Sequence, residues 1–161
     1  MGLFSLFTMR GKMRKFEEEQ ILNCRRIFSE SIDVMASTAD IDTFFSRYSV
    51  AANAIEEAGR IAGELSPCLN GVTPKEALET LHRDISRILI PCIDRYMDKK
   101  TLHLCSLSRG RVSKARAIEV VAETYQEKLP SDCFEHWKWR IQKLVKRMEQ
   151  LEWEEKQKLN R

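Results

Sequence analysis

Apolar residues recur at three- and four-residue steps along almost the whole chain, and no run of four to eight alternating or β-branched residues bounded by turn signals interrupts them. The pattern predicts an all-α protein, an antiparallel bundle of four to five long helices. A first helix is expected from about Lys12 to Ser37, with Ile21, Cys24, Phe28, Ile32 and Met35 on one face and Glu17, Glu18 and Glu19 on a solvated side. Thr38 or Asp40 supplies a capping oxygen to the next helix. Its broad stripe begins at Ile41, Phe44, Phe45 and Tyr48 and ends at Ile61, Ala62 and Leu65. Ala51, Ala52, Ala54, Ala58 and Gly59 replace bulky residues along its second half, so a neighbouring helix can come close. Pro67 and the Asn70-Gly71 pair end it in a loop.

Thr73-Pro74-Lys75-Glu76 combines an N-cap, a proline at the first helical position and a capping-box acid, so a third helix starts there. Leu78, Leu81, Ile85, Ile88, Leu89, Cys92, Ile93 and Tyr96 carry it to about Asp98, with a kink expected at Pro91, which cannot donate to residue 87. From Lys99 to Arg111 the period weakens, and a short helix or an ordered loop is expected. Gly110 breaks this stretch, and Ser113 can cap a helix carrying Ala117, Ile118, Val121, Ala122, Tyr125 and Leu129, closed by Pro130. The last helix spans about residues 132–158, with Asp132 and Glu135 at capping-box spacing. Phe134, Trp137, Ile141, Leu144, Met148 and Leu151 follow at alternating steps of three and four, a narrow coiled-coil-like seam. Two copies pairing that seam through Trp137, Ile141, Leu144, Met148, Leu151 and Trp153 would form a homodimer.

Composition narrows the class. The chain has 161 residues, 43% hydrophobic and 32% charged, with only 6 Gly and 4 Pro and a net charge of +3. A chain of this size buries roughly two thirds of its unfolded surface, so residues 12–161 are expected to form a single helical domain. Five cysteines at irregular intervals lack the even, close spacing of a disulfide framework, and a reducing, cytoplasmic setting suits them. Residues 1–11 are an apolar stretch running into Arg10, Lys12, Arg14 and Lys15, the reverse of a signal peptide's order. They are expected to be a flexible or interfacial segment. Two alternatives stand: a segment that frays or folds back, or one that lies on a membrane surface through residues 1–15 with Phe4 and Phe7 inserted. Gly2 lacks the Ser or Thr at position 6 that myristoylation requires, Leu6 standing there instead.

Few residues suggest chemistry. His103 and Cys105 from one segment and Cys133 and His136 from another are zinc-ligand types, but His103 and Cys105 stand two apart and would point about 200° apart on a helix. The simpler account is core thiols and unrelated histidines, with no metal. Glu79-Thr80-Leu81-His82 is a single copy of the Glu-x-x-His spacing that a di-iron bundle needs twice. Neither a Gly-x-Ser-x-Gly elbow nor a Gly-rich phosphate cradle is present. No cofactor and no catalytic residue is therefore expected. Arg95, Lys99, Lys100, Arg109, Arg111, Lys114 and Arg116 form the densest basic stretch, and Lys138, Arg140, Lys143, Lys146 and Arg147 add to it. Together they would hold nucleic-acid phosphates, with Trp137, Trp139 or Tyr96 stacking on bases. Against that, Glu119, Glu123, Glu127, Glu149 and Glu152 share the same helices and would make a mixed, solvated surface.

The segment from Ser37 to Tyr48, with its Thr38 cap, Asp42-Thr43-Phe44-Phe45 and Ser46-Arg47-Tyr48, resembles one found in helical proteins of bacteria without an assigned activity. Those proteins commonly carry an acid after the Tyr, where this chain has Ser49. The resemblance implies a bacterial or mobile-element origin and an all-helical fold, with no activity to carry over. The function expected is that of a non-enzymatic, self-associating protein-interaction or scaffolding protein. Alternatives are a nucleic-acid or mobile-element accessory protein using the basic surfaces, or a small helical metal protein or enzyme.

Overall fold

The computed structural model describes residues 3–161, with side chains from Arg10 onward. The protein is all-α: among the described residues there are six helices, α1 Leu3–Ser37, α2 Ile41–Ala62, α3 Pro74–Arg83, α4 Ile85–Ser106, α5 Arg111–Thr124 and α6 Ser131–Leu159. The chain divides into two compact units. One comprises α1 and Asp42–Ile85, the other Thr38–Ile41 and Ser86–Arg161.

In the first unit α1 begins at Leu3, well before Lys12, because Leu, Met, Arg and Lys are good helix formers and the one interruption, Gly11, costs only about 1 kcal/mol. Residues 3–11 are thus part of α1. Gly2 and the side chains of Phe4 and Phe7 lie outside the described residues. Cys24, Ser31 and Met35 are buried along one row of α1. From α2, Phe44, Ala51, Ile55 and Ala58 are fully buried. The helix ends at Ala62 on Gly63, whose φ of +96° suits a residue without Cβ and whose N–H returns to the Gly59 carbonyl at 2.8 Å. Leu65 therefore lies past the helix and is exposed rather than in the stripe. Asn70 and Gly71, both at positive φ, make the tight turn between Leu69 and Val72 that the dipeptide predicts.

The capping box at Thr73 forms as expected: its hydroxyl accepts from the Glu76 N–H and the Glu76 carboxylate accepts from the Thr73 N–H. Antiparallel packing of α2 and α3 follows from two contacts, Tyr48 with His82 and Gly59 with Pro74. A Cβ at Gly59 would stand 3.3 Å from that of Pro74, so the expected close approach to the small-residue half of α2 is real.

The helix expected over residues 73–98 is two helices, and the break falls at Asp84, not at Pro91, which sits exposed inside α4. The buried row of α3 is Pro74, Ala77 and Leu81; that of α4 is Leu89, Cys92, Ile93, Met97 and Leu104. At 100° per residue these rows differ in direction by roughly 110°, which no straight helix can present to one core. α4 then runs on to Ser106, absorbing most of the stretch expected as loop, with Leu102 exposed and Leu104 buried.

In the second unit α5 and α6 are antiparallel: Arg111 meets Glu155, Arg116 meets Glu149, and the Tyr125 ring lies 5.8 Å from that of Trp137. α4 and α6 run parallel, Ser86 bonding Asp132 at 3.0 Å while Asp94 and Asp98 bond Arg140. Residues 38–41 join this unit through the Thr38 carbonyl, which accepts from Arg95 Nε at 2.9 Å. α5 is capped by Gly110, at φ +70°, three residues before the expected cap, and the Ser113 hydroxyl donates to the Gly110 carbonyl. Asp132 does not cap α6 as a box; its carboxylate takes bonds from the Cys133 N–H and the Ser86 hydroxyl.

Candidate interaction surface

The residues expected to pair two copies are the core of one. Trp137 and Met148 are 0% exposed, Ile141 and Leu144 nearly as buried, facing α5 and α4 from within the chain. A narrow heptad seam needs a partner helix, and α5 supplies it at once because Pro130 returns the chain antiparallel. Of the expected set, Leu151 is half-buried and only Trp153 is exposed.

The zinc-ligand types are not brought together. His136 Nε2 bonds Asp94 Oδ1 at 2.7 Å, some nine residues along α4 from His103, and so about 13 Å away at 1.5 Å per residue. His103 is exposed, Cys105 half-buried, and Cys133 buried beside Ser86. Among the described residues no group of three or more His, Cys, Asp or Glu is placed to hold a metal ion. In the single Glu79-x-x-His82, the His82 ring hydrogen-bonds the Tyr48 hydroxyl through Nδ1, and burial raises the Tyr48 phenol above its ordinary value.

All five cysteines are free thiols. Burial pushes Cys92 and Cys133 up to about 11, so both stay neutral and unreactive at ordinary pH. An unfolded thiol ionises near 9.0. Between pH 9 and 11 the unfolded chain therefore sheds protons that the folded chain keeps, and stability falls as pH rises through that window. Cys92→Ala/Cys133→Ala should lose stability less steeply than the wild type over pH 9 to 11 in urea titrations; an unchanged slope sinks the assignment.

Much of the basic stretch is committed internally. Arg95 holds the Thr38 carbonyl, Arg111 is buried on Glu155, Arg116 bonds Glu149 at 3.0 Å, and Arg140 bridges Asp94 and Asp98 at 2.9 and 2.6 Å. Lys100 lies over the Tyr96 ring, Lys138 over Phe134, and Lys143 4.1 Å from the centre of Trp139. Trp137, which would have stacked on bases, is inside. Lys99, Arg109, Lys114, Lys146 and Arg147 are exposed.

A cleft of about 560 Å³ lies between α2 and α3, floored by Ile55, Gly59, Pro74 and Leu78. Its rim carries Glu56, Glu64 and Glu79 with Arg60, Lys75 and His82, so the charges largely offset.

The surface that sequence periodicity misplaced is the outer face of α5. Arg111, Ala115, Ile118 and Ala122 are the buried row. Ala117 and Val121, expected in the core, face away from it, and Val120 is 63% exposed. Ser113, Ala117, Val120, Val121 and Thr124 form an uncharged row along the helix at steps of four, three, one and three. The signal was present in the sequence as two apolar phases on one short helix. Comparison of the chain with protein-family models, curated proteins and solved structures finds no match.

Proposed function

We propose that this chain is a self-associating helical interaction protein in which the outer face of α5 meets the same face of a second copy. The observation that carries this is the uncharged row Ser113, Ala117, Val120, Val121 and Thr124, exposed on a helix whose other side is already packed. Its small side chains allow close helix approach. The exposed charges of the helix are self-complementary: Lys114 and Arg116 lie in the first half of α5, and Glu119 and Glu123 in the second. In an antiparallel two-fold pairing centred near residue 119, Arg116 of one copy meets Glu123 of the second copy, and the symmetry makes this contact twice. One Nη of Arg116 is on Glu149, which leaves donors of the guanidinium for that second carboxylate.

A 14-residue helix is only about 21 Å long and falls short of the roughly 800 Å² that each partner gives a standard interface, so the dimer is expected to be weak. Sedimentation velocity over a wide concentration range should show a monomer–dimer equilibrium for the wild type. Val120→Glu should be monomeric throughout, with an unchanged melting temperature. Arg116→Glu should weaken the dimer, and Arg116→Glu/Glu123→Arg should restore it. A wild type that stays monomeric at every concentration, or a Val120→Glu that still dimerises, overturns the proposal.

A further inference from the structure

Every residue from Arg10 to Glu19 is exposed, so this part of α1 stands clear of its own unit and does not fold back on it. The run carries large apolar side chains without intramolecular cover: Met13 is 62% and Phe16 60% exposed. It also carries Arg10, Lys12, Arg14 and Lys15, while the first acid in the chain is Glu17. Residues 3–9 hold no charge at all.

Helical register orders these residues. Met13 and Phe16 stand in one row, a step of three apart. Lys12 and Lys15 lie on one side of that row and Arg10 and Arg14 on the other, between roughly 70° and 140° from its middle at 100° per residue. An apolar row with cations on both borders fits a planar boundary, the apolar side chains entering and the long basic ones reaching outward to anionic groups. A second copy of the same segment would bring four cations against four, so the occupant must be anionic. No helix among the described residues is long and apolar enough to cross a membrane, so contact would be along the surface.

We infer that the first half of α1 is an amphipathic element that docks on an anionic membrane surface. Anionic headgroups supply the charge complement and the acyl boundary takes Met13 and Phe16. Attraction to an anionic leaflet is worth about fivefold in partitioning per Lys or Arg, and the gain shrinks as salt screens it.

The test is co-sedimentation of the full-length chain with phosphatidylcholine vesicles, alone or containing phosphatidylserine. The wild type should pellet with the phosphatidylserine vesicles and not with phosphatidylcholine alone, and release as salt is raised. Lys12→Gln/Lys15→Gln should lower partitioning roughly 25-fold. Met13→Ser/Phe16→Ser should also weaken it, with circular dichroism and melting unchanged because both side chains are exposed. Equal pelleting with both vesicle types, no pelleting, or variants that pellet like the wild type overturns the inference. So does a duplex DNA that binds these cations while phosphatidylserine vesicles do not.

Discussion

Leu144→Glu should unfold the α4–α5–α6 unit rather than dissociate a dimer. Leu144 is 4% exposed and sits in the α6 row that α5 covers from within the chain. Replacing it removes a buried side chain worth about 2–5 kcal/mol by the measure of Leu→Ala truncations, and it also places a carboxylate where water does not reach. The sum is comparable with the whole stability of a typical domain, about 5–15 kcal/mol. Leu144→Ala keeps the question answerable if the glutamate variant does not express: it should lower stability by about 2–5 kcal/mol and leave the sedimentation behaviour of the remaining folded protein unchanged. If α6 instead paired between copies, Leu144→Glu would give a folded monomer with a near-normal melt. That outcome would overturn the placement of the seam inside the chain.

The same residues show how far sequence pattern reaches. Trp137, Ile141, Leu144 and Met148 are a helical contact row by spacing alone, and they are one. Spacing carries no information on whether the partner helix belongs to the same chain, because knobs and holes look alike in both cases. Connection length does carry it: six residues between α5 and α6 make them antiparallel neighbours. On α5, Ile118 and Ala122 are buried as the period expects, while Ala117 and Val121 face outward and Ala115 and Arg111 complete the buried row. Where a helix has two apolar phases, period cannot choose between them.

Helix starts set by local chemistry were legible, the capping box at Thr73 and the Asn70-Gly71 turn above all. These depend on residues three or fewer apart, whose geometry the chain fixes without tertiary help. The break at Asp84 has no local signal to match that of Pro91, the residue with the larger intrinsic penalty. Asp84 marks where the buried row of α3 gives way to that of α4, a property of what each helix packs against. The basic stretch misled for a related reason. A count of cations does not register that Glu149, Glu152 and Glu155 recur on α6 at three-residue steps, in line with Arg116, the Val112 N–H and Arg111 on the antiparallel α5.

That ladder yields the second large effect, with an unequal result from its two ends. The Arg111 side chain is 9% exposed and that of Glu155 49%, joined at 2.7 Å, and Arg111 Nε donates to the Leu104 carbonyl at 3.2 Å. Removing one partner of a buried pair costs about 3–5 kcal/mol when it leaves the other charge buried and unpaired. Glu155→Ala does so, because the guanidinium stays in place with only the Leu104 carbonyl as acceptor. Arg111→Met leaves a carboxylate that already reaches water, and a methionine fills much of the same volume. Glu155→Ala, at the more exposed residue and near the end of α6, is therefore expected to cost about 3 kcal/mol, and Arg111→Met about 1 kcal/mol or less. In Arg111→Met/Glu155→Ala the unpaired charge is gone, so the double variant should be more stable than Glu155→Ala alone. Chemical denaturation of the four proteins measures the cycle. Equal losses for the two single variants would mean that the guanidinium finds water once Glu155 is removed, and that its burial does not govern the packing of α5 on α6.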